Sequence, residues 1–304
     1  MRLQITGESV YLDMLRDTLR YGYRTGDRTG TGTTVSPFPR QLYFPSVDQQ
    51  FPLLTTKYVS FRMLAAELLW FISGSTNARD IEQHGSKAMA DMWMKWAKDD
   101  GDLGPVYGKQ WRDFNGIDQL QNAIDMIKNN PSSRRIIVSA WNPSELKDMA
   151  LPPCHLLFKF RCEPLSLITR RYLVSGSFAN MDHSMDHDDL DELIPRYRLH
   201  LHLFQRSADL FLGVPFNIAS YSLLLIMVSY VVGMKVGSFT WTGDDCHIYM
   251  NHIDAVEEQI NRSPYPLPEL EISREVKDID SFGIEDFDLK NYEHHPAIKA
   301  EVSV

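Results

Sequence analysis

The sequence predicts a single domain that contains both α-helices and β-strands. Apolar residues recur at helical spacing over Leu12–Leu19, which predicts an amphipathic helix that ends near Gly22. Apolar and polar residues alternate over Leu199–Phe204, as they do in a half-buried strand. No linker rich in proline, glycine or serine divides the 304 residues, and a hydrophobic content of 43% supplies a sizeable core.

Charge and cysteine content restrict the classes of partner. The net charge of −9 argues against a protein held on nucleic acid by general electrostatics, so no nucleic acid is expected. Three cysteines do not indicate a disulfide framework, and a reducing, cytoplasmic location is expected. The first residues lack an apolar signal core, and the apolar stretch Ser222–Val232 is too short to span a bilayer, so we expect a buried helix and no membrane.

The remaining elements follow from the same patterns. Helices are predicted over Phe61–Phe71, Ile117–Ile127 and Ile253–Ile260, and a strand over Ser132–Trp141. Phe158–Cys162 and Leu199–Phe204 are predicted to form a hairpin lengthened by an insert at 164–196. The insert contains the ligand-rich segment 182–189, but its spacing matches no known metal site. A solvated loop is therefore predicted there, and no metal is expected.

Cys154 is the candidate nucleophile. Pro152 and Pro153 stiffen the chain before it, and a buried strand is predicted directly after it. A thiol at such a rigid junction is held at a fixed height and angle, as a nucleophile needs to be. The alternative is a buried structural cysteine, which is the commoner use of this residue.

Glu67 is a candidate proton carrier because it is the one carboxylate in a strongly apolar helix. A buried carboxylate is costly unless it is paired or its pKa is raised, although a structural glutamate bonded to backbone is an equal alternative. Trp93, Trp96 and Tyr107 lie near a loop rich in glycine and proline, and could form a platform for a flat ring or simply fill the core.

Arginines supply candidate anion contacts. Arg28 lies in the glycine- and threonine-rich segment Asp27–Thr33, which could approach an anion or could be a plain turn. Arg134 and Arg135 begin the predicted strand and point to opposite faces of it, so they need not serve the same chain. The alternative for this pair is a solvated strand end.

Two later segments supply the remaining candidate site residues. Arg206, Ser207, Asp209 and Asn217 surround a bend at 213–215 that leads into the apolar helix. His247 and Tyr249 lie on one side of a short extended segment.

Together these segments closely resemble the thymidylate synthase family. The matching pieces run in family order over nearly the whole chain: Asp27–Gly32, Glu67–Trp70, Gly104–Trp111, Arg134–Trp141, Leu151–His155, Gln205–Ser207, Pro215–Tyr221 and His247–Tyr249. The resemblance implies one α+β domain over residues 1–304, with 164–196 as an extended hairpin insert. It further implies a large mixed β-sheet covered by helices on one face, and a homodimer formed sheet to sheet.

The resemblance also implies an activity, the reductive methylation of dUMP to dTMP with 5,10-methylenetetrahydrofolate. Cys154 would add to C6 of the uracil, because a thiolate there makes C5 nucleophilic. Arg206 would favour the ionised thiol. Glu67 would handle protons at O4 and at the folate, and Tyr107 would assist removal of the C5 proton.

Asn217 would recognise the base, because its carbonyl and amino groups match the N3–H donor and O4 acceptor of uracil. By family analogy, an aspartate there marks enzymes that act on dCMP. The other residues implied by the resemblance are Arg28, Arg206 and Ser207 on the phosphate, with Arg134 and Arg135 from the partner subunit, His247 and Tyr249 on the 3′-hydroxyl, and Lys57, Trp93, Asp209 and Val304 on the folate.

Three departures from the family pattern keep a second enzyme open. They are Met94 after Trp93, Asp244 before Asp245, and the final segment Glu301–Val304. If water rather than hydride reached the methylene intermediate, the product would be 5-hydroxymethyl-dUMP, as in a dUMP hydroxymethylase. A nucleotide-binding protein without catalysis is a further alternative, although it predicts a broken nucleophile or proton carrier.

Overall fold

A seven-stranded mixed sheet forms the centre of the fold in the computed structural model, which describes residues 7–303. The strand order is β1-β2-β7-β6-β5-β4, and β3 also pairs with β7. β6 and β7 run parallel, while the other pairs are antiparallel. The strands are β1 (Tyr23–Thr25), β2 (Thr33–Val35), β3 (Arg40–Phe44), β4 (Ile137–Ser139), β5 (His155–Pro164), β6 (Tyr197–Asp209) and β7 (Lys235–Tyr249). The expected large mixed sheet is confirmed.

Helices and one small hairpin complete the described part of the chain. The hairpin pairs β8 (Glu269–Ile272) with β9 (Phe287–Lys290). The helices are α1 (Glu8–Tyr21), α2 (Phe61–Ser73), α3 (Lys87–Trp93), α4 (Tyr107–Arg112), α5 (Gln119–Asn129), α6 (Leu167–Ser175), α7 (His187–Asp191), α8 (Gly213–Val232) and α9 (Ile253–Ile260). Buried side chains of the central sheet and of all these helices except α6 and α7 form a single hydrophobic cluster, which confirms a mixed α+β fold.

α8 is the helix around which the core is assembled, and it packs on β6 and β7. Its 20 residues are long and apolar enough to cross a membrane, but 83% of its most apolar window is buried inside the protein. The expected buried helix is confirmed. Its predicted extent was wrong, because the helix already begins at Gly213, with polar residues such as Asn217 and Ser220 in its first turns.

The side chains of β6 alternate between the two faces of the sheet. Leu199, Leu201 and Leu203 are buried in the core, whereas His200 and His202 are only partly buried. Each histidine makes a hydrogen bond to a hydroxyl of β7, His200 to Ser238 at 2.7 Å and His202 to Thr242 at 2.8 Å. The predicted alternation is confirmed, and these histidines are strand residues of the face opposite the leucines.

The insert at 164–196 contains two short helices that were not predicted. The segment 182–189 is mostly exposed and irregular up to Asp186, which agrees with the predicted solvated loop, although its last residues begin α7. Within the insert, α6 begins at a Ser166 cap and α7 at an Asp186 capping box. The buried Arg170 joins the two halves: it donates to the carbonyl of Ile194 at 2.6 Å and to Asp191 at 2.6 Å. A polar centre of this kind leaves no apolar periodicity in the sequence, which explains why the two helices were missed.

Two further boundaries differ from prediction. The strand expected over 132–141 is regular only from Ile137, and Arg134 and Arg135 lie exposed before it. The helix expected from Ile117 begins at Gln119, after an Asp118 side-chain cap, and Ile117 is 51% exposed. Helices 1, 2 and 9 lie where the apolar spacing predicted them.

Candidate active site

A deep cavity opens between the sheet, α2, α3 and the start of α8. Its empty volume is about 920 Å³, and it continues into a neighbouring hollow beside the loop 25–29. Segments far apart in sequence meet there. Predicted site residues on its walls are Arg28, Glu67, Trp93, Tyr107, Cys154, Ser207, Asp209, Asn217, His247 and Tyr249, while Arg206 lines the hollow.

Cys154 lies at the junction of the cavity and the hollow. Its backbone N–H donates to the Tyr107 hydroxyl at 2.9 Å, and its carbonyl accepts from the N–H of Arg206 at 2.9 Å. The Arg206 guanidinium donates to the carbonyls of Pro152 at 2.8 Å and Pro153 at 2.9 Å. The turn that presents the thiol is therefore fixed from three sides.

Opposing influences act on the Cys154 thiol. Burial raises its pKa above the usual value, while the positive charges of Arg206 and Arg28 lower it. The Arg206 guanidinium lies 3.9 Å from Sγ. The direction expected for Arg206 is correct, but burial outweighs it, so the thiol is mainly protonated at neutral pH.

Glu67 projects from α2 into the same cavity and is only 7% exposed. Burial raises its pKa to about 7, and the hydrogen bond from Trp93 opposes this increase. That bond joins indole Nε1 to carboxylate Oε1 at 2.7 Å. A carboxyl group with a pKa near neutrality can both take up and release a proton, which is what a general acid–base group must do.

Tyr107 and His155 form a buried aromatic pair beside the thiol, with ring centroids 5.1 Å apart. Burial raises the pKa of Tyr107 far above that of a free phenol, so the hydroxyl is neutral. Burial lowers the pKa of His155 to about 4, an effect that the nearby Asn217 opposes, so the imidazole is also neutral. His155 was not predicted as a site residue; its position directly after the nucleophile was the available signal.

Gln205 is a second cavity residue that the sequence reasoning passed over. Its Nε2 donates to Oδ1 of Asn217 at 3.1 Å and to the carbonyl of Ser207 at 2.9 Å. The strand period could have located it, because Gln205 and Ser207 are two residues apart on β6 and both line the cavity.

The hollow beside Cys154 is suited to an anion. Arg28, Arg206 and Ser207 line it, together with the other residues of the loop 25–29, which include Asp27, and with Asp245. His247 and Tyr249 stand on β7 between this hollow and the cavity, with ring centroids 5.1 Å apart. His247 Nδ1 is 2.8 Å from Oδ1 of Asp245, which holds the ring in place.

A sequence model of one family, thymidylate synthase, matches residues 9–304. The chain belongs to the thymidylate synthase family. Family membership implies a methyltransferase that uses methylenetetrahydrofolate and acts on dUMP. The resemblance inferred from the separate sequence segments is thereby confirmed over essentially the whole chain.

Only some of the residues assigned to the folate line the cavity. Trp93 and Asp209 line the cavity, and Asp209 also accepts from the backbone N–H of Phe211 at 2.9 Å. Lys57 is buried and does not line the cavity; its ammonium donates to the carbonyl of Phe211, and burial lowers its pKa to about 7, with Asp209 opposing. Val304 lies outside the described residues.

The last described residues of the chain reach the cavity. Val302 and Ser303 line it, and the carbonyl of Glu301 lies 2.8 Å from Nε2 of the buried His252. Ser303 is 3.5 Å from the Thr31 hydroxyl. This segment therefore lies beside the loop that carries Arg28, at the mouth of the cavity.

Arg134 and Arg135 are not brought to the cavity of their own chain. Both are exposed and precede β4 at the edge of the sheet. Among residues 7–303 there is no group of three or more histidine, cysteine or acidic side chains that could hold a metal ion. The acidic segment 182–189 instead caps its own turns, as in the bonds of Asp186 to backbone N–H groups of α7.

Proposed function

We propose that this protein converts dUMP to dTMP, with 5,10-methylenetetrahydrofolate as the donor of both the carbon and the hydride. The observation that carries the proposal is the position of Cys154. It lies between a hollow lined by arginines, suited to a nucleotide phosphate, and a cavity that contains Glu67 and Asn217. A uracil ring placed between these groups would present C6 to the sulfur.

Residues on two strands, one helix and one loop would bind and orient dUMP. Arg28, Arg206 and Ser207 would bind the phosphate by charge-assisted hydrogen bonds. His247 and Tyr249 would bond the deoxyribose hydroxyl. Asn217 would match the donor and acceptor of the uracil edge.

Cys154 carries the covalent step. The sulfur loses its proton and adds to C6, and the electron pair displaced onto C5 makes that carbon nucleophilic. Arg206 supports this step because its positive charge favours the thiolate. Tyr107 accepts a hydrogen bond from the backbone of the nucleophile and would assist loss of the C5 proton.

Glu67 would donate and accept protons near O4 of the uracil. Its pKa of about 7 allows protonation as negative charge develops on the ring and deprotonation later in the cycle. Trp93 fixes the carboxylate through its indole N–H. Both side chains line the cavity, which supports a position of the proposed proton carrier beside the reacting ring.

The cavity would also hold the folate. Trp93 and Trp96 meet edge to face with centroids 5.9 Å apart and form an aromatic wall suited to a flat ring system. The bound folate would supply the carbon unit and the hydride. Val302 and Ser303 at the mouth would exclude water once the site is filled.

A homodimer is part of the proposal. Arg134 and Arg135 are exposed and lie outside their own cavity, so they are free to complete the phosphate site of a second subunit. The sheet face that carries His200 and His202 is the surface proposed to pair. Mixing Cys154→Ser with Arg135→Ala subunits tests this: activity restored in the mixture supports shared sites, and a mixture as inactive as its components refutes them.

The alternative product is 5-hydroxymethyl-dUMP. Met94, the departure beside Trp93, packs against the core and does not line the cavity. Trp93, which is assigned to the folate, lines the cavity, and its presence supports the proposal of hydride transfer rather than attack by water. The three free cysteines, all in the described part of the chain, fit the proposed cytoplasmic location.

The decisive experiment is the mass of the nucleotide product formed from dUMP and 5,10-methylenetetrahydrofolate. Appearance of dTMP with dihydrofolate supports the proposal, whereas a product heavier by one oxygen with tetrahydrofolate identifies the hydroxymethylase. Tritium release from 5-tritiated dUMP by wild type and by Cys154→Ser distinguishes catalysis from binding alone. Equal background release in both proteins contradicts an enzyme of either kind.

A further inference from the structure

We propose that Trp241, which lies outside the cavity, sets the orientation of the Asn217 amide and thereby makes the site selective for uracil over cytosine. The inference rests on the proposed function, since it assigns Asn217 to the base. Trp241 is a positioning residue that acts through Gln205. The proposal concerns three side chains joined in series by hydrogen bonds.

The first bond determines which way the Gln205 amide points. Indole Nε1 of Trp241 donates to Oε1 of Gln205 at 2.8 Å. An indole nitrogen is only a donor, so the end of Gln205 that faces it must be the carbonyl oxygen. The opposite end of the amide lies 2.9 Å from the carbonyl of Ser207, which is only an acceptor. Two independent partners thus require the same orientation.

The second bond transmits this orientation to Asn217. The Nε2 group of Gln205 can only donate, and its other contact is Oδ1 of Asn217 at 3.1 Å. The carbonyl of Asn217 is therefore held toward Gln205. Within residues 7–303 the Asn217 amino group donates to no acceptor, and the side chain lines the cavity, so this donor remains available to a ligand.

This orientation of the Asn217 amide is complementary to uracil and not to cytosine. Uracil offers an acceptor at O4 for the amino group and a donor at N3 for the remaining lone pair of Oδ1. Cytosine offers a donor and an acceptor in the reverse places, so Asn217 would have to rotate by half a turn. Rotation would set its amino group against the amino group of Gln205, and two donors facing each other in a buried site is unfavourable.

Packing fixes Trp241 itself. It is fully buried on β7, where it pairs with Leu42 of β3 and Leu203 of β6. Gly243 lies two residues further along the same strand, and a Cβ atom there would come within 2.4 Å of the indole ring. Glycine at this position lets the ring lie flat against the strand with its N–H aimed at Gln205.

A purely structural Trp241 predicts a different result. If the indole only fills the core, its loss would weaken dUMP and dCMP binding by the same factor. If it orients Asn217, its loss would change the ratio of the two affinities. The ratio therefore separates the two explanations even when a variant is less stable.

The test compares dissociation constants of dUMP and dCMP, measured by isothermal titration calorimetry. Trp241→Phe removes the donor, and Gln205→Met removes the link at similar volume. Both variants are expected to lower the dUMP-over-dCMP preference by about five- to tenfold, the factor that one orienting hydrogen bond supplies. Trp70→Phe is the matched control, because Trp70 is equally buried and its Nε1 has no hydrogen-bond partner within the described residues.

Each outcome of the binding experiment either supports or overturns the orienting role of Trp241. An unchanged preference in folded Trp241→Phe overturns the orienting role while leaving the proposed function intact. Wild-type protein that binds neither nucleotide overturns the proposed function and this inference with it. If Trp241→Phe does not fold, Gly243→Ala displaces the indole without removing it, and Gln205→Met and Gly243→Ala must both lower the preference.

Discussion

Glu67→Gln is expected to stabilise the folded protein at alkaline pH while abolishing catalysis. Burial raises the pKa of Glu67 from 4.5 to about 7. The carboxyl group is protonated in both folded and unfolded states at low pH and then carries no penalty. As the pH rises above 4.5, the unfolded chain loses this proton first, so the folded state is progressively destabilised until the pH exceeds 7.

The magnitude follows from the two pKa values. At about 1.4 kcal/mol per pH unit, the penalty is about 1 kcal/mol at pH 5.5 and about 3 kcal/mol at pH 8.5. A neutral glutamine of the same shape can still accept the Trp93 hydrogen bond and avoids this penalty. The variant should therefore gain about 2 kcal/mol over wild type between these two pH values.

The assay is guanidinium unfolding monitored by tryptophan fluorescence at several pH values and at one fixed protein concentration. Glu257→Gln is the control, because Glu257 is exposed on α9 and its carboxylate makes no ion pair among the described residues. A stability difference between Glu67→Gln and wild type that stays constant from pH 5.5 to 8.5 would refute the reasoning. Tritium release from dUMP should be lost in the same variant.

Three further outcomes are expected. Arg206→Ala removes a charge that lowers the pKa of Cys154, so the rate of thiol alkylation by iodoacetamide should rise only at a higher pH than in wild type; the same profile in both proteins contradicts the assignment. Arg170→Met should open the insert, giving new protease cleavage between 164 and 196 while dUMP affinity changes less than about twofold; uncut protein contradicts a structural role. Asn217→Asp should weaken dUMP binding at least about tenfold and improve dCMP binding relative to wild type, as measured by calorimetry; equal loss for both nucleotides would show that Asn217 does not read the base.

The sequence predicted best where chemistry and periodicity agree. Leu199–Phe204 alternates because one face of β6 is buried, and the Pro-Pro-Cys junction is fixed as its stiffness suggested. Family motifs located Glu67 and Asn217, which tertiary contacts bring to the same cavity. Local pattern alone could not have assembled them, because residues from 28 to 303 meet there.

The features that the sequence did not predict depend on burial and on contacts between distant residues. The insert is held by the buried Arg170, and a polar centre leaves no apolar period to detect. The net rise in the pKa of Cys154 depends on burial, which nearest neighbours in sequence do not reveal. The strand period could have located Gln205, but its bond to Trp241, which lies 36 residues away along the chain, is visible only in the folded structure.

The mainly protonated thiol of Cys154 has a consequence for survival of the enzyme between turnovers. Peroxides and other oxidants attack the thiolate far faster than the thiol, and they form sulfenic acid first. Because burial raises the pKa of this thiol, slow reaction with such oxidants is expected in the absence of substrate. The same arrangement that delays ionisation would thus preserve the sulfur that we propose as the nucleophile.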